Sequence, residues 1–79
     1  MALGDNIINI NNYAFYGCLS LISLVLNNNL KIIGDSAFVN CNFPQLTIPD
    51  GVTSIGHAAF SYCRKLTNIK IGKGITFIG

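Results

Sequence analysis

The chain has 79 residues, of which 51% are hydrophobic and only 10% are charged, and its formal net charge is +2. This balance excludes intrinsic disorder, because disordered chains combine low hydrophobicity with high net charge. The longest apolar stretch, Cys18 to Leu26, is interrupted by Ser20 and Ser23 and is far shorter than the roughly 20 residues of a membrane span. The opening residues, 1–5, lack the basic start and the apolar region of a secretory signal. We therefore expect one small, repeat-built, β-rich module with no membrane insertion.

The sequence repeats itself with a period of 22 or 23 residues. An Ala-Phe dipeptide recurs at this spacing, a cysteine follows three residues after each phenylalanine, and two columns of aliphatic residues share the period upstream. The members are Ala14-Phe15, Ala37-Phe38 and Ala59-Phe60; Cys18, Cys41 and Cys63; Ile10, Ile33, Ile55 and Ile78; and Ile7, Leu30, Val52 and Ile75. Self-similarity at this period predicts a repeat architecture. The repeats number about three and a half, with coils at approximately 1–20, 21–42, 43–65 and 66–79.

The strands of this architecture are predicted where apolar residues alternate with other types, in segments of LxxLxL type after each cysteine. Counting back one period from Leu24 and Leu26 reaches Met1 and Leu3, so the chain is expected to open inside a strand of the same kind. Stacked coils would pair these strands into one parallel sheet. The residues expected to face inward are Leu24 and Leu26, Leu46 and Ile48, and Ile69 and Ile71.

The rest of each coil is predicted as a turn, a short extended piece, a glycine corner and a helical turn. The corner column reads Asn11, Gly34, Gly56 and Gly79, and these residue types enter the left-handed backbone conformation at least cost. Asn12 and Asp35 follow the corner and are good N-caps for a short helical turn. That turn would carry the Ala-Phe pair and the cysteine inward.

The pattern resembles a leucine-rich repeat of the BspA type. The resemblance is clearest in the residues from Ile48 to Ile71, IPDGVTSIGHAAFSYCRKLTNIKI, and extends over the whole chain, with a more degenerate first copy from Ile7 to Leu26. It implies a right-handed leucine-rich repeat solenoid with a parallel β-sheet on one face and short helical turns and extended segments on the other. It also implies a surface or secreted protein of the kind that adheres to host matrix proteins or to other cells. The ligand is not implied, because binding faces of repeat proteins vary while their core positions stay the same.

No catalytic or metal-binding constellation is predicted. Cysteines at 22- or 23-residue spacing match no zinc motif, in which ligands come in close pairs, and we expect them to be a ladder of buried, reduced thiols. His57 occupies the cap column with Asn12 and Asp35, so we expect an exposed cap residue. Nothing in the pattern makes the three aspartates converge for acid–base chemistry. We therefore expect no enzyme activity and no cofactor.

The candidate ligand-binding surface is the set of outward-facing strand residues. They form two columns across the coils, Ser23, Gln45 and Asn68 in one and Val25, Thr47 and Lys70 in the other. We expect this flat, mostly hydrogen-bonding strip to bind a protein or glycan ligand, with a merely solvated sheet face as the alternative. Tyr13, Tyr16 and Tyr62 offer a second contact surface on the side of the turns, and Tyr13 and Tyr16 are expected to lie together.

Two other predictions concern the charge of the chain and the ends of the predicted solenoid. The end of the chain is basic, with Arg64, Lys65, Lys70 and Lys73, but dispersed cations without interleaved exposed aromatics are a weak signal for a polyanion, and we expect no nucleic-acid partner.

The runner-up function is structural. A solenoid without capping segments exposes apolar residues at its ends, so we expect a homo-oligomer that forms through those ends. Surface or secreted localisation follows only from the resemblance, and a cytoplasmic location stays open.

Overall fold

The computed structural model describes residues 3, 4 and 6–79, and in this part of the chain it contains six short β-strands and no α-helix. The predicted β-rich repeat architecture with parallel strands is therefore confirmed. Met1, predicted to lie in a strand with Leu3, is outside the described residues. In chain order the strands are β1 (Asn9–Ile10), β2 (Ile32–Ile33), β3 (Gln45–Ile48), β4 (Ser54–Ile55), β5 (Asn68–Ile71) and β6 (Phe77–Ile78).

One parallel sheet is built from the short extended pieces, in the order β1-β2-β4-β6. Its register follows the sequence period, since Ile10 pairs with Ile33, Ile33 pairs with Ile55 and Ile55 pairs with Ile78. The first three of these isoleucines are buried. The sequence predicted these pieces as extended but did not predict that they pair into a sheet of their own.

A second parallel sheet consists of β3 and β5 alone. Leu24 and Leu26 are buried as predicted. The predicted single sheet through all the strands is nevertheless wrong, because no backbone hydrogen bond joins residues 22–26 to β3. Residues 22–26 contact the start of the chain instead: the amide of Leu3 donates to the carbonyl oxygen of Val25 at 3.2 Å.

Pro44 removes one of the bonds that could join residues 22–26 to β3. The amide of Thr67 donates to the carbonyl oxygen of Pro44 at 3.0 Å where β5 approaches β3. In the repeat register, the equivalent bond one repeat earlier would run from the nitrogen of Pro44 to the carbonyl oxygen of Ile22, and proline has no N–H to donate. The break also extends to the amides of Gln45 and Thr47, which make no backbone hydrogen bond to residues 22–26.

The predicted helical turns are wrong: residues 12–17, 35–40 and 57–62 are non-helical turns. The amide of Phe15 donates to the carbonyl oxygen of Ala37 in the next repeat at 2.8 Å. The amide of Gly17 donates in the same way to Val39 at 2.7 Å. Only alternate amides bond locally, as when Cys18 donates to the carbonyl oxygen of Phe15 at 3.2 Å. An α-helix needs every interior amide for its own i−4 carbonyl, so bonding between repeats excludes it.

Asn12 and Asp35 connect repeats and do not cap helices. The side-chain Oδ1 of Asn12 accepts a hydrogen bond from the backbone amide of Asp35 at 2.7 Å. The Oδ1 of Asp35 accepts one from the backbone amide of His57 at 2.8 Å. Because each side chain bonds to the residue that occupies its own column in the next repeat, the three residues form a ladder along the stack.

The corner glycines are not left-handed, so that prediction is wrong as well. A Cβ atom on Gly34 would lie 2.6 Å from the backbone nitrogen of Asn12, and one on Gly56 would lie 2.5 Å from that of Asp35. Glycine is therefore required because neighbouring repeats approach closely. Positive φ angles occur instead at the second position of each turn and just before each cysteine, at Tyr13, Ser36 and Ala58 and at Gly17, Asn40 and Tyr62.

The core is centred on a phenylalanine stack. Phe38 is fully buried between Phe15 and Phe60, with ring centroids 5.2 and 5.4 Å away and planes within 3° of parallel. Phe43 meets the edge of Phe38 at 5.9 Å. Ile69 and Ile71 of β5 were predicted to face inward but are 41% and 51% exposed, because β5 is an edge strand that pairs only with β3 among the described residues.

Candidate ligand-binding groove

The face that carries β3 and β5 has an open groove of about 590 Å³. Its lining includes all six residues of the predicted strip, Ser23, Val25, Gln45, Thr47, Asn68 and Lys70. The structure thus brings them together on one surface. The groove follows the break in the sheet, since residues 22–26 form one wall while β3 and β5 form the other.

The two walls differ in chemistry. Ile22 and Val25 present exposed aliphatic side chains on the first wall, with 68% and 60% of their surface accessible. The second wall is polar because Gln45 pairs with Asn68 across the two strands and Thr47 pairs with Lys70. Two amides, a hydroxyl and an ammonium group therefore lie side by side there.

Among the described residues that line the groove, Lys70 is the only charged one, and none is an aspartate or glutamate that could neutralise it. The groove therefore carries a positive charge on the side of β5.

Sequence reasoning missed several groove residues. Ile22, Asn28, Pro44 and Pro49 also line it. Ile22 stands in the segment of LxxLxL type immediately after Leu21, where its side chain is not part of the inward set. The proline in the equivalent place of the next repeat was the available signal, because a proline inside a strand pattern marks a position that cannot donate to a sheet.

The three cysteines form a structural ladder on the side of the turns. The Sγ of Cys41 donates to the carbonyl oxygen of Phe15 at 3.2 Å, and the Sγ of Cys63 donates to that of Phe38 at 3.0 Å. Cys41 is buried, as expected, whereas Cys18 and Cys63 are only partly buried.

Burial controls the chemistry of these thiols. It raises the pKa of the Cys41 thiol to about 11, and it raises the pKa of the Cys63 thiol as well. A thiol that keeps its proton is a poor nucleophile and a poor metal ligand. Among the described residues, no cluster of three or more His, Cys, Asp or Glu side chains could hold a metal ion.

The remaining candidate residues are not among those that line the groove. His57 is exposed, as predicted, and its backbone amide serves the ladder from Asp35. Tyr13 and Tyr16 lie together as predicted, with ring centroids 5.6 Å apart. Arg64 lies over the ring of Tyr62 at 6.0 Å.

The family of the chain follows from comparison with known proteins. A family model described as BspA type leucine rich repeat region (6 copies) matches residues 1–79. No curated protein and no solved structure matches the chain. The match covers every column described above, and the chain belongs to the BspA-type leucine-rich repeat family.

Proposed function

We propose that the chain is a non-enzymatic binding segment of a surface-displayed or secreted adhesion protein, arranged as a solenoid, and that its groove holds a protein or glycan ligand. The observation that carries this proposal is the groove itself, in which all six outward strand residues line one surface of about 590 Å³. Membership of the BspA-type family supports the class of function. A host matrix protein is the kind of partner that this family suggests.

The test is direct binding of the purified chain to a panel of matrix proteins and to a glycan array. Lys70→Glu reverses the one charge in the groove, and Lys65→Glu makes the same change at an exposed residue outside the lining. We expect Lys70→Glu to weaken binding of an anionic ligand at least tenfold and Lys65→Glu to leave it within twofold. Equal losses in both variants, or no binding to any member of either panel, would refute the proposal.

A second candidate function is self-assembly through the open end of the stack. It is favoured by the exposure of β5 and β6, each the outermost strand of its sheet. Four large apolar side chains lie there with between 41% and 60% of their surface accessible, namely Ile69, Ile71, Phe77 and Ile78. Burial of such side chains in a second copy would stabilise a dimer.

Light scattering after size-exclusion chromatography, across a hundredfold dilution series, tests the second candidate. We expect a dimer that Ile71→Lys dissociates. The control is Leu19→Lys, which changes an apolar residue that is 58% exposed outside β5 and β6 and should leave the dimer intact. A folded monomer at every concentration would contradict this function.

A further inference from the structure

Within the described part of the chain, the edge of β3 beside the groove pairs with no other strand. The amides of Gln45 and Thr47 make no backbone hydrogen bond to residues 22–26. In a parallel strand, the N–H and C=O groups of one residue both point to the same neighbouring strand. Those of the next residue both point to the strand on the other side. Because the carbonyl of Pro44 is directed to β5, the backbone groups of Gln45 and Thr47 are directed to the groove.

On the opposite wall, the backbone groups of Leu24 face the same groove. The carbonyl of Val25 accepts from Leu3, so it is directed away from β3. By the same alternation, the backbone groups of Leu24 are directed to the groove, and Leu24 is among the lining residues. The groove is therefore bordered by the peptide groups of Gln45 and Thr47 on the β3 side and by those of Leu24 across from them.

We propose that the ligand of this groove is an extended polypeptide segment that binds as an added strand along the open edge of β3. Strand addition uses main-chain hydrogen bonds for affinity and side-chain pockets for specificity. An unpaired strand edge is the surface that such a segment recognises. The inference rests on the proposed function, because it names the ligand class and the binding mode of the same groove.

The side chains around the edge favour a peptide over a glycan. Sugar rings commonly stack on aromatic side chains, and the lining contains no aromatic residue. The aliphatic wall of Ile22 and Val25 suits apolar residues of the segment, and Lys70 suits an acidic one. Since side chains of a strand alternate between two faces, an amphipathic strand with one or more acidic residues matches the two walls.

The experiment begins with a display library of random ten-residue peptides selected on the immobilised 79-residue chain. Selected peptides are synthesised, and their affinity is measured by fluorescence anisotropy before and after N-methylation of each peptide nitrogen in turn. We expect N-methylation to weaken binding at least tenfold at every second residue and by less than threefold between them. The amides of Gln45 and Thr47 should exchange with solvent at least tenfold more slowly when the peptide is bound.

A protein variant tests the edge of β3 separately. Thr47→Pro removes the N–H of Thr47, which is directed to the groove and makes no backbone hydrogen bond to residues 22–26. We expect the loss of this donor at the edge of β3 to weaken peptide binding at least tenfold. Lys65→Glu serves as the control and should bind the peptide as the unmodified chain does.

The outcomes separate this inference from the proposed function. Peptides that bind with no alternation in the N-methylation scan, and without protection of Gln45 and Thr47, would overturn strand addition and leave a groove ligand in place. Glycan binding without any selected peptide would overturn the peptide ligand and leave the proposed function in place. Failure of peptides, glycans and matrix proteins alike would overturn both.

Discussion

Replacement of Phe38 by alanine is expected to destabilise the chain more than the same change at Phe60. Phe38 is fully buried and stacks on a ring on each face, whereas Phe60 is partly exposed and has one stacked neighbour. Truncation of a buried phenylalanine costs about 3–5 kcal/mol. Each aromatic pair adds about 0.5–1.5 kcal/mol beyond the area it buries.

These contacts place Phe38→Ala near the upper end of that range, at about 5 kcal/mol, and Phe60→Ala at about 2–3 kcal/mol. A domain of this length has a free energy of unfolding of about 4–12 kcal/mol. Phe38→Ala alone could therefore leave the chain unfolded. Phe38→Leu keeps most of the apolar volume but removes the ring contacts, so we expect a smaller loss of about 2 kcal/mol.

The assay is equilibrium unfolding in urea, followed by far-ultraviolet circular dichroism, for the unmodified chain and the three variants. The expected order of destabilisation is Phe38→Ala, then Phe60→Ala and Phe38→Leu. Equal losses for Phe38→Ala and Phe60→Ala would show that the double-sided stack is not a centre of stability. A loss below 1 kcal/mol for Phe38→Leu would show that the ring contacts add little to apolar burial.

Three further predictions concern the contacts between repeats and the buried thiol. Gly56→Ala should cost at least about 2 kcal/mol in urea unfolding, because its Cβ would collide with the backbone of Asp35, whereas Gly4→Ala, which meets nothing within 4 Å, should change stability by less than about 0.5 kcal/mol. Asp35→Ala should lower the free energy of unfolding by about 1 kcal/mol, because it removes the acceptor for the His57 amide. Asp35→Asn keeps an oxygen there and should cost less than half as much. A reversed order would contradict the ladder. Burial raises the pKa of the Cys41 thiol in the folded state to about 11, against an ordinary value of 9.0. The protonated thiol therefore contributes fully to the free energy of unfolding below pH 9, and this contribution is lost as the pH rises through 11. Urea unfolding between pH 8 and pH 11 should therefore show a steeper decline for the unmodified chain than for Cys41→Ala, and parallel curves would contradict burial of that thiol.

Much of the candidate site could be predicted from alternation along single strands. The strip from Ser23 to Lys70 lines the groove because strand side chains alternate between core and solvent, a rule that needs no knowledge of the neighbours. The groove itself could not be predicted in this way. It exists because residues 22–26 do not pair with β3, and whether the strands of neighbouring repeats pair is decided by contacts between the repeats.

The sequence by itself determined the period, the family and most of the residues that face the core. Those features repeat in one dimension, and burial of Leu24 or Phe38 follows from their apolar side chains and positions in the period. The tertiary structure alone decided which backbone groups bond to which. The turns are not helical because half of their amides bond to the next repeat, and Gly34 is required because Asn12 lies against it. In a stack of repeats, hydrogen bonds and close contacts are made mostly between residues more than twenty positions apart, so local propensity cannot predict them.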